Sequence, residues 1–226
     1  MFDARLHPLL RKGFAPLAAQ LASRGTTADA VTLAGFAVGV GAAIAVGLGA
    51  ATLGLLLLLL NRFADGLDGA LARHLGPTER GAFLDIALDF AVYALFPLGF
   101  AFADPTRNAL AAAVLIASFI GTGSSFLAFA AIAAGRNMKA TTFPTKGIYY
   151  LGGLTEGMET IVAFAAMGLW PAGFAAIAWM FAVLCIVTTL TRWRQGWIAF
   201  SVGKPSLTPV TALRPRQPED CLPIDD

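Results

Sequence analysis

The sequence predicts an all-α, polytopic membrane protein with six transmembrane helices and an N-terminal amphipathic helix on the membrane surface. Three observations carry that reading. Of 226 residues, 57% are hydrophobic and 13% charged, whereas a soluble domain carries roughly 45–50% apolar and 25% charged residues; the mean hydropathy is +0.71. Apolar stretches of about 20 residues, enough to cross a bilayer, recur along the chain. Basic residues gather in alternate connections. Disordered, fibrous and disulfide-framework classes are excluded by the high apolar content and by two cysteines, Cys185 and Cys221, that match no metal-ligand spacing. A net charge of +2 leaves no broad basic surface for nucleic acid. The start, Phe2-Asp3-Ala4-Arg5, lacks the pattern of a cleaved signal peptide.

The elements follow in order. Over residues 3–22, Phe2, Leu6, Leu9, Leu10, Phe14, Leu17 and Leu21 recur at helical spacing with Arg5, Arg11 and Lys12 opposite, which predicts a helix in the membrane surface. The alternative is a helix packed on the bundle. Spans are expected at about 30–50, 52–74, 81–102, 107–134, 153–170 and 172–195. Gly47 and Gly49 break the first, Gly76-Pro77 the second, Asp104-Pro105 the third and Trp170-Pro171 the fifth. One membrane unit thus covers residues 1–200, and a polar, Pro-rich tail covers 201–226. Arg24, Arg73, Arg80, Arg136, Lys139, Lys146, Arg192 and Arg194 fall at one set of span ends and Arg107 alone at the other. The positive-inside bias puts both termini in the cytoplasm.

Four aspartates interrupt the second and third spans within 25 residues: Asp65, Asp68, Asp85 and Asp89. Each acid at membrane depth costs about 2.5–3.5 kcal/mol on insertion scales, so such residues are rare and usually functional. Asp65 and Asp68 are spaced i,i+3, and Asp85 and Asp89 i,i+4, so an antiparallel hairpin brings both pairs together at its cytoplasmic end. Facing carboxylates repel unless a cation neutralises them. Hard divalent cations prefer oxygen ligands, which points to a metal site for one or two ions. The competing reading pairs the acids with Arg62, Arg73 and Arg80. Gly66, Gly69, Ala70, Ala72 and Gly81 around them either let helices pack closely or leave room beside the metal. A metal in a cleft at the membrane edge suits phosphoryl chemistry.

The string Asp65-x-x-Asp68-Gly69-x-x-Ala72-Arg73, followed after seven residues by Gly81-x-x-x-Asp85-x-x-x-Asp89, resembles the signature of the CDP-alcohol phosphotransferase family at all eight positions. The six-span layout and surface helix are similar too, so the resemblance covers about residues 3–195. It implies a homodimer with a catalytic site in each protomer. It implies Mg²⁺ or Mn²⁺ on Asp65, Asp68 and Asp85, bridging the diphosphate of a CDP-linked donor, with Asp89 joining them. Asp89 would be the general base. Gly69, Ala72 and Gly81 would lie near the cytidine, and Arg73 beside the nucleotide or a motif acid. The implied reaction moves a substituted phosphate from the donor, CDP-diacylglycerol, to an alcohol and releases CMP. At least one substrate would be lipidic, and the active site would face the cytoplasm at the cell membrane, in phospholipid synthesis. The family's Thr-Pro-Asn-x-x-Thr segment is here Thr27-Ala28-Asp29-Ala30-Val31-Thr32, where Thr27 or Asp29 equally suits a helix cap.

The acceptor side has weaker markers. Arg136, Lys139, Lys146 and Arg192 either bind an acceptor or mark the cytoplasmic side. Glu156 and Glu159, one turn apart at the start of span five, either face the acceptor and disfavour a phosphorylated alcohol or pair with Arg136, Lys139 or Arg192. A different class, a divalent-cation or proton-coupled transporter, also uses intramembrane acids. It would spread them along a path and not at one edge.

Overall fold

The computed structural model describes residues 3–136 and 153–201, with side chains from Gly13 onward. These form seven α-helices: α1 (Asp3–Ser23), α2 (Ala28–Gly47), α3 (Ala51–Leu75), α4 (Glu79–Ala103), α5 (Pro105–Gly135), α6 (Gly157–Leu169) and α7 (Phe174–Ser201). No strand occurs among the described residues. Lys139, Lys146 and the tail beyond Ser201 lie outside them.

The helix starts are written in short polar caps. Thr27 Oγ1 accepts from the Ala30 N–H at 3.2 Å, Thr78 Oγ1 from Gly81 N–H at 3.0 Å, and Asp104 Oδ1 from Arg107 N–H at 3.2 Å. Pro105 occupies the first turn of α5, where its missing N–H leaves no helical bond unmade. Gly76, at φ +100°, turns the chain between the two helices that carry the aspartates.

Six helices stand where six spans are expected, and the chain is a multi-pass membrane protein. They are not equivalent. α2, α4, α5 and the segment Pro171–Ser201 are long and apolar enough to cross a bilayer. α3 has the length, at 25 residues, but Arg62, Asp65, Asp68 and Arg73 interrupt its apolar surface. α6 has only 13 residues, about 20 Å of helix against a hydrocarbon thickness of about 30 Å. It begins at Gly157, later than the expected 153, because Glu156 caps it.

The central core joins Leu58, Val92, Phe96, Leu115, Phe164, Met167 and Phe174, all under 2% exposed. The rings of Phe96 and Phe164 lie 4.9 Å apart, and those of Phe100 and Phe174 stack at 4.4 Å. Leu56, Leu60, Trp179, Val183 and Trp193 point outward, as a bilayer-facing surface requires. α2 approaches its neighbours through glycine. A Cβ at Gly39 would sit 2.7 Å from Val92 Cγ2, and one at Gly35 2.9 Å from Ala64 Cβ. The described part of α1 packs on the bundle: Phe14, Leu17 and Leu21 cover Leu67, Ala70 and Leu71 of α3. The apolar stripe expected in the membrane surface is at these positions spent on α3.

Candidate functional site

The tight turn after α3 returns the chain as α4, so the aspartates of both helices meet near that end of the bundle. Carboxylate oxygens of Asp65, Asp68 and Asp85 all lie within 4.8 Å of one another. Asp68 is 5% exposed, Asp65 half-buried and Asp85 exposed, so the group opens to one side. With Thr32, Gly35, Phe36, Asn61, Leu88, Asp89 and Val92 they line one cleft between α2, α3 and α4.

Each acid has a specific setting. The Thr32 hydroxyl of α2 donates to Asp68 Oδ2 at 2.6 Å. Arg62 Nη2 donates to Asp89 Oδ1 at 2.7 Å, and Nη1 lies 3.9 Å from Asp65 Oδ2. The same guanidinium donates to Asn61 Oδ1 through Nη2 at 2.6 Å and Nε at 2.9 Å. It also lies over the Tyr93 ring, 5.3 Å from its centroid. Asn61 in turn donates to the Gly35 carbonyl at 2.9 Å, which ties the network to α2. Arg62 therefore serves Asp89 and, at longer range, Asp65, as the charge-pairing alternative anticipates, while Asp65, Asp68 and Asp85 still group together.

The remaining predicted residues are placed as follows. Gly69 and Ala72 are half-buried on α3, and the Arg73 guanidinium lies over Gly69, where a Cβ would meet Nη1 at 3.3 Å. Gly81 lets Thr78 and Asp29 approach: a Cβ there would sit 3.0 Å from Thr78 Oγ1 and 3.1 Å from Asp29 Oδ1. Asp29 Oδ2 accepts from Arg80 Nε at 2.7 Å, so Arg80 serves α2 and no motif aspartate. Thr27 is the cap of α2.

On the acceptor side, Arg192 is 8% exposed on α7, donates to the Thr122 carbonyl at 3.0 Å and lies over Phe126. Arg136 donates to the Phe200 carbonyl at 3.4 Å. Glu156 and Glu159 form a reciprocal capping box at the start of α6, in which the Glu156 N–H donates to Glu159 Oε2 at 3.2 Å. The cleft lining includes none of Arg136, Arg192, Glu156 and Glu159. Lys139 and Lys146 lie outside the described residues.

Sequence reasoning left Thr32, Asn61 and Tyr93 without a role in the site. Thr32 ends the segment compared with the family's Thr-Pro-Asn-x-x-Thr, and that was the available signal. Asn61 and Tyr93 carry none, because a polar residue in a span also serves helix packing.

Three carboxylates from two helices, partly buried and open on one side, form a donor set suited to a hard divalent cation. The fold and this cleft define the class: a polytopic α-helical membrane protein with an acidic cation site at one end of its bundle.

No family model matches the chain. It is 50% identical over 198 residues to the inner membrane protein YnjF of Escherichia coli, covering 88% of this chain and 96% of that protein. It is 36% identical over 166 residues to a protein of Aquifex aeolicus, covering 70% of this chain and 76% of the other. An 86-residue stretch is 38% identical to archaetidylinositol phosphate synthase of Methanothermobacter thermautotrophicus, 38% of this chain and 43% of that one. Its fold is that of Mycobacterium tuberculosis phosphatidylinositol phosphate synthase solved with CDP-DAG bound, at TM-score 0.67 and 24% identity, covering 81% of this chain and 93% of that one. A second structure of that synthase, with manganese and citrate, gives TM-score 0.65 at 24% identity, covering 81% and 88%. The chain belongs to the same family as the inner membrane protein YnjF.

Proposed function

We propose that this protein transfers a substituted phosphate from CDP-diacylglycerol to an alcohol and releases CMP, in phospholipid synthesis. The convergence of Asp65, Asp68 and Asp85 within 4.8 Å carries the reading. The complete eight-position signature supports it, as does the synthase of the same fold solved with CDP-DAG.

Asp65, Asp68 and Asp85 would hold Mg²⁺ or Mn²⁺, which would supply charge screening at the donor diphosphate and at the CMP leaving group. Asp89 is the general base. The acceptor oxygen forms a bond to the β-phosphorus, the bond from that phosphorus to the CMP oxygen breaks, and the hydroxyl proton passes to the Asp89 carboxylate. Arg62 holds one Asp89 oxygen, which aims the other at the acceptor. Gly69, Ala72 and Gly81 make room for the nucleotide beside the metal, and Arg73 faces its phosphates. The excess of Arg24, Arg73, Arg80 and Arg136 at this end over Arg107 at the other supports a site on the cytoplasmic side. The resemblance carries a homodimer with one site per protomer.

The test is CMP release by detergent-solubilised protein from CDP-diacylglycerol, with a panel of alcohols that includes glycerol 3-phosphate, with and without Mn²⁺. Metal-dependent release with at least one alcohol is expected. Failure of every alcohol in Mg²⁺ and Mn²⁺ refutes the assignment.

A further inference from the structure

Arg62 places a fixed positive charge between Asp89 and Asp65. Its side chain is 9% exposed, and three helices fix it. Asp89 and Tyr93 hold it from α4, Asn61 from its own helix, and Gly35 of α2 holds Asn61. Asn61 is itself 4% exposed, so neither residue is free to swing toward bulk water. One arm of the guanidinium meets Asp89 at 2.7 Å, and the other lies 3.9 Å from Asp65. Asp89 is also outside the group formed by Asp65, Asp68 and Asp85.

A divalent ion bridging Asp65 and Asp89 would need their oxygens at about 2.0–2.6 Å. Arg62 Nη2 already bonds Asp89 Oδ1 at 2.7 Å, and Nη1 stands 3.9 Å from Asp65 Oδ2, between the two carboxylates. An incoming ion would therefore meet a pinned positive charge, and it would have to break the Asn61 and Tyr93 contacts to displace it. A planar, permanently charged fork suits this place better than lysine would, because one group reaches two carboxylates.

We infer that this protein binds one divalent ion per site, on Asp65, Asp68 and Asp85, and that Arg62 replaces a second ion at Asp89. The inference rests on the metal-centre reading above, and it departs from the expectation that Asp89 joins the ligands. Asp89 then keeps an arginine partner whether or not metal is present, and Arg62 is a positioning residue.

The experiment is Mn²⁺ binding by the full-length protein in detergent without donor, followed by the electron paramagnetic resonance of free Mn²⁺. One saturable Mn²⁺ per chain is expected in the wild type, and two in Arg62→Gln, where Asp65 and Asp89 are released. Asp89→Asn retains the single ion with Kd changed by less than about threefold, while Asp85→Asn weakens it by about tenfold or more. Two ions in the wild type overturn the inference and leave the metal centre standing. So does a monodisperse Arg62→Gln protein that still takes one ion, or an Asp89→Asn protein weakened as much as Asp85→Asn. Absence of saturable binding in the wild type overturns the metal centre itself.

Discussion

Thr32→Val removes one hydroxyl and keeps the outline of the side chain. That hydroxyl lies 2.6 Å from Asp68 Oδ2 and 3.1 Å from the Ala28 carbonyl, and its single proton goes to the nearer, charged acceptor. Asp68 is 5% exposed, so water does not take over the bond. A hydrogen bond to a charged group is worth about 1.5–3 kcal/mol, which converts to roughly 10- to 150-fold in an equilibrium constant. Partners that orient a metal-ligating carboxylate contribute about 10–100-fold to metal affinity, the same range. We therefore expect Thr32→Val to raise the Mn²⁺ dissociation constant by about 10- to 100-fold, measured by titration of the detergent-solubilised protein. Thr32→Ser, which keeps the donor, restores affinity. Mn²⁺ binding by Thr32→Val within twofold of the wild type refutes the reasoning: either Asp68 is no ligand, or the hydroxyl serves Ala28.

Asp65→Asn and Asp68→Asn are each expected to abolish CMP release and weaken metal binding, while the protein still elutes as a single species in detergent. Wild-type turnover at limiting Mg²⁺ would contradict this. Asp89→Asn keeps donor affinity within about tenfold and lowers turnover by about 10²-fold or more, the scale of general-base catalysis; an active variant with an unchanged pH profile removes that role. Gly39→Ala puts a methyl 2.7 Å from Val92 Cγ2. It costs about 1–3 kcal/mol of overpacking, read as a lower melting temperature, whereas Gly13→Ala, with open space around its Cβ, does not.

The helices were legible because their signals are local. Apolar runs end at Gly76-Pro77, Asp104-Pro105 and Trp170-Pro171, and the structure breaks within a few residues of each. The aspartates were legible for a different reason: a carboxylate in a span is costly enough that four in 25 residues demand a common explanation. Their partners were not. Which arginine meets which acid depends on how α3 and α4 rotate against α2, and that is set by contacts far apart in the chain, such as Asn61 and Ala64 with Gly35. Arg62 and Arg80 read alike on paper, yet one is buried against Asp89 and the other lies on the surface against Asp29. Glu156 and Glu159 show the reverse case. Their spacing is that of a capping box, a local motif that the sequence carries and the structure forms.

Charges inside the bundle differ in what surrounds them, and that difference separates site from scaffold. Arg192 is as costly to bury in a span as any aspartate. It meets the Thr122 carbonyl and the face of Phe126, so it links α7 to α5. The hydroxyls near it behave similarly. Thr189 returns its proton to the Cys185 carbonyl, and Thr155 bonds Thr188, fastening the segment before α6 to α7. Thr155, Thr188 and Thr189 each bond a complementary neighbour, and Arg192 does so through Nη1 while its buried Nε makes no hydrogen bond among the described residues. Asp65, Asp68 and Asp85 lie against one another as well as against their partners. Groups of like sign held within 4.8 Å repel by several kcal/mol at an effective dielectric of about 20, and Thr32 and one arm of Arg62 offset only part of that. A cation bound there would offset that repulsion, so we place binding in the α2–α4 half of the bundle, while Arg192 and Thr155 link elements of the other half.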